Sequence, residues 1–165
     1  MKLAFGINAG SGKDTSVDYM IFKYGGKKYS FSEPLYDIMH YSQRILNKPM
    51  AKDRKFLQMF GDFCRSDNTD IFVDLCLEKI KNDSQSNVYI SDLRFENEFR
   101  KLKDAGFKCI KLIRDVDNST RIANGDKNHC SEVSLKNVKD EEWDFIIYNN
   151  STLDHLYEQL DNIKN

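Results

Sequence analysis

Residues 8–15 place two glycines, a serine and a lysine directly between a short apolar run and a helix-like stretch. Glycines let a backbone curl so that successive N–H groups point inward, and the N-terminus of the following helix adds partial positive charge. The ammonium of Lys13 can then reach the terminal phosphates of a nucleotide. We therefore predict that the phosphates of ATP are bound by Asn8, Ala9, Gly10, Ser11, Gly12, Lys13, Asp14 and Thr15.

The segment departs from the general pattern G-x-x-x-x-G-K-[ST] at two positions. Ile7 stands where the first glycine is expected, although Gly6 is adjacent, and Asp14 stands where a metal-binding hydroxyl is expected. Asp14 and Thr15 are the candidate metal ligands: Asp14 can hold Mg²⁺ directly or through water, and Thr15 can also contact a phosphate. The alternative interpretation is a glycine–serine turn with a solvated lysine.

The chain has seven arginines against eighteen lysines, so the position of each arginine is informative. Arginine grips phosphate through two N–H groups at once, which lysine does not do. Arg94 follows a predicted strand that carries Asp92, at the strand end where α/β sheets bind ligands. We interpret Asp92 as a second acidic group near Mg²⁺ or as a residue that orients Arg94. The alternative is a carboxylate that only caps the strand.

The order of apolar runs, glycines and helix-start signals predicts strands that alternate with helices. Strands are predicted over 3–7, 28–31, 87–91, 108–113 and 145–147, and helices over 13–24, from Pro34, over 52–64, 68–81 and 95–105, and after an N-cap at Ser151. Such alternation predicts one three-layer α/β domain over 1–165 with a mainly parallel sheet. The polar stretch near 115–130 contains Arg121 and is predicted to be a lid that closes over the transferring phosphate.

Composition narrows the possible partners. The net charge is −1 and the pI about 6.3, which argues against nucleic acid, because a duplex-binding surface needs a basic excess. No stretch approaches the roughly 20 apolar residues of a membrane span, and the N-terminal apolar run is too short for a signal peptide. We expect a soluble, intracellular (cytoplasmic) protein without a membrane partner. Its four widely spaced cysteines are expected to be reduced, half-buried apolar groups.

Gly12-Lys13-Asp14-Thr15 resembles the phosphate loop of bacteriophage-type deoxynucleoside monophosphate kinases. The similarity recurs in order at 31–35, at 54–61 with Arg65, and at 90–98, 129–132 and 144–150, so it spans nearly the whole chain. The Asp-x-Arg-Phe-x-Asn-Glu segment at 92–98 and the His-x-Ser-Glu segment at 129–132 make the combination specific. The resemblance implies a P-loop kinase fold with a five-stranded parallel sheet and a small lid.

The same resemblance implies transfer of the γ-phosphoryl group of ATP, with Mg²⁺, to a deoxynucleoside 5′-monophosphate, giving the dNDP and ADP. Such a transfer needs alignment and charge neutralisation rather than a covalent nucleophile. The candidate catalytic residues are Lys13, Arg94 and Arg121. The candidate acceptor-binding residues are Pro34, Arg65, Asp92, Arg94, His129 and Glu132, with Arg65 holding the monophosphate. Many members of the family are dimers, so a homodimer is one expectation.

Each of these roles has a plainer alternative. An arginine can be a surface charge, Pro34 can simply begin a helix, and His129 with Glu132 can form a structural hydrogen-bonded pair. Phosphomevalonate-type kinases also have a Gly-Lys-Asp phosphate loop, so the acceptor can be another phosphorylated small molecule. The departures at Ile7 and Asp14 are the support for a third hypothesis, a module that binds ATP without transferring its phosphate.

Overall fold

A computed structural model describes residues 1–7, 10–115 and 134–163. In these ranges the chain forms five strands and six α-helices. In chain order they are β1 (Lys2–Gly6), α1 (Lys13–Tyr24), β2 (Lys27–Tyr29), α2 (Glu33–Ile45), α3 (Arg54–Asp67), α4 (Ile71–Asn82), β3 (Val88–Leu93), α5 (Glu96–Asp104), β4 (Lys108–Ile113), β5 (Phe145–Tyr148) and α6 (Leu153–Asn162). Two short 3₁₀ helices, Ser134–Asn137 and Asp140–Glu142, lead into β5.

The five described strands form one sheet in the order β2-β3-β1-β4-β5, and every pair is parallel. Parallel strands require crossover connections, and the helices that provide them cover both faces of the sheet. From β1 the chain proceeds to β2 and β3 on one side, and then to β4 and β5 on the other. The strand order therefore reverses at β1, and a crevice opens beyond its carboxyl end. The predicted three-layer α/β fold with a parallel five-stranded sheet is confirmed.

Each face of the sheet has its own apolar core. On one face α1 and α6 pack through Val17, Met20, Leu156 and Leu160, all buried. On the other face α2, α4 and α5 pack around a cluster in which the rings of Phe99 and Trp143 meet edge to face, with centroids 4.8 Å apart. Burying a side chain of this size contributes about 1.5–3 kcal/mol. These two cores hold the carboxyl ends of the strands in fixed register.

Several predicted boundaries are shifted by one to three residues, and for two of them the structure shows the reason. The second strand ends at Tyr29 rather than at residue 31, because the carboxylate of Asp92 accepts the N–H groups of Phe31 and Ser32 and takes them out of the sheet ladder. The last helix is capped by Thr152 rather than by Ser151, since the Thr152 side chain accepts the N–H of His155. Apart from Asp115, the predicted lid lies in residues that the structure does not describe.

Three of the four cysteines lie in the described ranges, and none of these three forms a disulfide. Cys76 and Cys109 are buried, and burial raises the pKa of both thiols to about 12. Cys64 is half-buried against the core of the α4 face. Among helices of the described ranges, none has both the length and the apolar content that a bilayer span needs.

Candidate functional site

The predicted site residues that the structure describes gather at one edge of the sheet. All five described strands are parallel, so their carboxyl ends meet there. Gly6 ends β1 and leads into the phosphate loop, whereas Leu93 ends β3 and is followed by Arg94. Gly6 and Leu93 are register partners in the sheet. The loop and Arg94 therefore leave the sheet side by side.

The predicted phosphate loop ends at a buried lysine. Gly10 and Gly12 both have positive φ angles, 78° and 104°, which the missing side chain allows. Ser11 is fully buried, and Lys13 is only 8% exposed at the start of α1. The Lys13 ammonium donates a hydrogen bond to the carbonyl oxygen of Ile7 at 2.7 Å, so it folds back over the loop. Asn8 and Ala9 lie outside the described residues and stay predictions.

Ile7 occupies a backbone conformation that normally requires glycine. Its φ is +80°, in the left-handed region that β-branched residues rarely adopt. A residue held there costs about 1–3 kcal/mol and needs compensation from its surroundings. Two contacts of Ile7 can offset this cost: its carbonyl oxygen accepts a hydrogen bond from the Lys13 ammonium, and its side chain packs against the core. Ile7 therefore replaces the glycine of the general motif but has the positive φ that a glycine would adopt easily.

Asn149 braces the loop from the other side of the sheet, a role that sequence reasoning missed. It follows β5 directly, is 8% exposed, and donates from Nδ2 to the carbonyl oxygen of Ser11 at 2.8 Å. A Cβ atom on Gly12 would lie 2.5 Å from that nitrogen, so Gly12 is needed for close approach as well as for its φ. The sequence feature that could have indicated this role is the position of Asn149, a polar residue close after the last predicted strand.

Asp14 lies in the first turn of α1 and faces two neighbouring strands. One of its carboxylate oxygens accepts a hydrogen bond from Lys28 of β2 at 2.6 Å and another from Ser91 of β3 at 2.7 Å. Loss of hydration raises the pKa of Asp14, but the bonds from Lys28 and Ser91 outweigh this effect and lower it below its ordinary value. The group is therefore a carboxylate at neutral pH. Thr15 beside it is exposed.

These residues suit Mg²⁺ as a nucleotide-bound ion. Within the described ranges, no cluster of three or more His, Cys, Asp or Glu residues could hold a metal. Mg²⁺ is usually held by one or two carboxylates together with substrate phosphates and water rather than by an all-protein cage. An ionised carboxylate next to the phosphate loop meets this requirement. Asp14 is thus chemically suited to the predicted metal role, and Lys28 is a neighbour that the sequence did not predict.

A second cleft opens beyond the end of β3. The segment before α2, α2, the segment before α3, α3, the end of β3 and the β3–α5 turn line it, with Ser32, Leu35, Tyr36, Lys52, Arg54, Leu57, Gln58, Arg65, Asp92, Arg94 and Phe95. The predicted residues Arg65, Arg94 and Asp92 are therefore brought together, and Lys52 and Arg54 join them without having been predicted. Pro34 lies in the first turn of α2, between the lining residues Ser32 and Leu35, and is not itself a lining residue.

Asp92 ties two elements of this cleft together. Among the described contacts, its carboxylate accepts hydrogen bonds from the hydroxyls of Ser30 and Ser32 and from the backbone N–H groups of Phe31 and Ser32, at 2.6–3.2 Å. Asp92 lies near the end of β3, whereas residues 30–32 connect β2 to α2. The carboxylate therefore sets the wall of the cleft that α2 provides.

Glu98 is a buried carboxyl under the same cleft. It is 3% exposed, and its Oε2 accepts the backbone N–H groups of Arg94 at 2.9 Å and Phe95 at 3.0 Å. Burial raises the pKa of Glu98 to about 7, although these two bonds and the nearby Arg65 oppose the rise. Glu98 closes the turn that carries Arg94 and Phe95. Its sequence signal was a glutamate in the first turn of a predicted helix.

Three further predicted residues, Arg121, His129 and Glu132, lie outside the described residues and stay predictions. Their segment begins beyond Asp115, whose backbone N–H donates to Oδ1 of Asn150 at 2.8 Å. That contact joins the exits of β4 and β5 at the carboxyl edge of the sheet.

Comparison with known proteins gives two viral relatives, and no family model matches the chain. "Uncharacterized protein ORF77" of Ictalurid herpesvirus 1 (strain Auburn) is 35% identical over 144 residues, which cover 84% of this chain and 60% of that protein. "Putative deoxynucleotide monophosphate kinase" of Acanthamoeba polyphaga mimivirus is 28% identical over 180 residues, covering 92% of this chain and 89% of that protein. The chain thus spans only about 60% of the herpesvirus relative's length.

Proposed function

We propose that this protein is a kinase that transfers the γ-phosphoryl group of ATP to a deoxynucleoside 5′-monophosphate. The observation that carries the proposal is the register pairing of Gly6 with Leu93 in neighbouring parallel strands. Adjacent strands lie about 4.8 Å apart, so a phosphate loop after β1 and an arginine after β3 face the same crevice. One crevice with two anion-binding walls suits transfer between a nucleotide donor and a phosphorylated acceptor.

The residues of the two walls would have complementary tasks. Lys13 and the loop backbone hold the terminal phosphates of ATP at the positive end of α1. Arg65 and Arg94 bind the acceptor phosphate, where bidentate N–H groups neutralise charge and orient the attacking oxygen. Asp14 would hold Mg²⁺, which when bound would supply positive charge to offset the charge that develops during transfer. No residue acts as a nucleophile, because the acceptor phosphate supplies the attacking oxygen.

The comparisons support the same proposal. The mimivirus relative bears the name of a deoxynucleotide monophosphate kinase, and its alignment covers most of both chains. The fold supports it too, since the parallel five-stranded sheet with the loop after its central strand is the arrangement that the family resemblance implies. The choice of acceptor rests on these likenesses, whereas the phosphorylated character of the acceptor rests on the arginine-lined cleft.

The test is an assay with ATP, Mg²⁺ and each of dAMP, dCMP, dGMP and dTMP, followed by chromatographic detection of the dNDP. We expect at least one of the four to be converted, with one ADP formed for each dNDP. Absence of a dNDP with all four would overturn the proposal. ADP formation with a different phosphorylated acceptor would then favour the broader kinase hypothesis, and ATP binding without any transfer would favour a binding module.

A further inference from the structure

The interior of α3 contains a glycine that the helix itself does not need. Gly61 lies midway along Arg54–Asp67, is buried, and is not among the described residues with positive φ. A glycine in a helix interior destabilises it by about 0.5–1 kcal/mol relative to alanine. Since its backbone conformation is open to any residue, the reason for Gly61 must lie in the space beside it.

That space is taken by the side chain of Arg65. A Cβ atom on Gly61 would lie 2.8 Å from Nη1 of Arg65, closer than such atoms approach in proteins, and 3.4 Å from Cδ1 of Leu35. Residues four apart share one face of a helix, and side chains lean toward its N-terminus. The Arg65 side chain therefore runs back across Gly61, and the missing methyl group is what lets it lie there.

The guanidinium that crosses Gly61 is also packed against two aromatic rings. Its Cζ lies 4.2 Å from the ring centroid of Phe95 and 4.8 Å from that of Phe72. Stacking on rings covers the flat faces of a guanidinium and leaves the N–H groups at its edge for other partners. Phe95 is itself set by Glu98, which accepts its backbone N–H. The orientation of Arg65 thus depends on Gly61 below it and on rings from two other segments.

We propose that Gly61 is a positioning residue, which keeps the Arg65 guanidinium stacked on Phe95 and presented to the acceptor phosphate. The inference rests on the proposed function, because it assigns the phosphate of the acceptor to Arg65. The methyl group added by Gly61→Ala meets the far end of the Arg65 side chain rather than backbone, so we expect the arginine to shift and the helix to stay in place. The substitution therefore separates acceptor binding from stability.

The test is a double-mutant cycle of Gly61→Ala and Arg65→Ala, with steady-state kinetics for ATP and the preferred dNMP, and calorimetric binding of that dNMP. We expect Gly61→Ala to raise the KM and Kd for the dNMP about 10- to 100-fold, the range for losing a charge-assisted hydrogen bond. The KM for ATP should be unchanged. The melting temperature should be unchanged or higher. In the Arg65→Ala background, Gly61→Ala should have no further effect on dNMP binding.

Ser66→Ala is the matched control, because Ser66 is exposed in the last turn of the same helix. It should leave both KM values unchanged. An unaltered Kd for the dNMP in Gly61→Ala, an additive loss in the double variant, or a lowered melting temperature would each overturn the positioning role. If the wild-type protein binds a dNMP but does not convert it, only the kinase proposal fails, because calorimetry can still complete the double-mutant cycle for dNMP binding. If no dNMP binds, both proposals fail.

Discussion

The predicted phosphate loop and the proposed acceptor cleft hold their cations in different ways. Lys13 lies in one continuous segment, and its ammonium donates to the backbone carbonyl of Ile7 just before that segment. The cations of the cleft instead come from separate segments: Arg65 belongs to α3 and Arg94 to the β3–α5 turn. A site made from consecutive residues is shaped locally, whereas a site made from separate elements depends on the residues that tie those elements together. Substitutions outside the cleft should therefore impair it more than they impair the loop.

The largest effect is expected at the loop itself. Lys13→Ala should lower kcat about 100- to 1,000-fold, the loss that follows removal of one preorganised group from a developing charge. The control is Lys2→Ala. Lys2 is an exposed residue at the start of β1, and its ammonium donates a hydrogen bond to the carbonyl oxygen of Ala105. That variant should keep full activity. If Lys13→Ala retained more than a tenth of the wild-type kcat, the loop would not be the donor site.

Glu98 should make the cleft side of the molecule sensitive to pH. Its pKa rises from 4.5 unfolded to about 7 folded, so the protonated form is favoured in the folded state and stability falls as pH rises through this window. The contribution to the free energy of unfolding is on the order of 3 kcal/mol. Glu98→Gln mimics the protonated form and should flatten the decline between about pH 4.5 and 7, measured by urea unfolding at several pH values. An unchanged pH dependence would contradict this assignment.

Substitution of Asp92 tests how far the cleft depends on the hydrogen bonds that join β3 to the segment before α2. Asp92→Ala leaves the N–H groups of Phe31 and Ser32 without their carboxylate partner, and should lower the free energy of unfolding by about 2–3 kcal/mol. The KM for the acceptor should rise more than the KM for ATP, because α2 loses its attachment to β3. Asp104→Ala, at the exposed end of α5, is the control. Equal changes in both KM values would show that the two regions are not independent.

Asn149 gives the matching test on the loop side. Asn149→Ala removes the hydrogen bond to the Ser11 carbonyl and should cost about 1–2 kcal/mol of stability. We expect a higher KM for ATP and an unchanged KM for the acceptor. Its neighbour Asn150, which pairs with Asp115 at the surface, provides the control Asn150→Ala. A shift confined to the acceptor KM would reverse the comparison between the two regions.

The smallest effect concerns the backbone at Ile7. Ile7→Gly and Ile7→Ala remove the same packing, apart from one methyl group, yet only glycine adopts a φ of +80° without strain. The glycine variant should be more stable than the alanine variant by about 1 kcal/mol, despite the greater freedom of glycine in the unfolded chain. Thermal unfolding of the two variants measures the difference. An alanine variant as stable as the glycine variant would mean that the loop relaxes at this position.

Sequence patterns were sufficient for most of the fold. The predicted helix over 13–24 matches α1, and the predicted strand over 108–113 matches β4, because apolar periodicity and glycine stops are local signals. The strand predicted over 28–31 ends two residues too late, since Asp92, some 60 residues away, accepts the N–H groups of Phe31 and Ser32 in place of the ladder. A contact so distant in sequence leaves no periodic trace.

The phosphate loop is predicted by the sequence alone: glycines, a lysine and a helix start lie within residues 8–15, and consecutive residues need no partner to be recognised. Only the tertiary structure decided what surrounds the loop and the cleft. Lys28 reaches Asp14, Asn149 reaches Ser11, and Gly61 makes room for Arg65. The first two contacts depend on which strands lie side by side. The third depends on Phe72 and Phe95, which come from other elements and hold the Arg65 guanidinium in place.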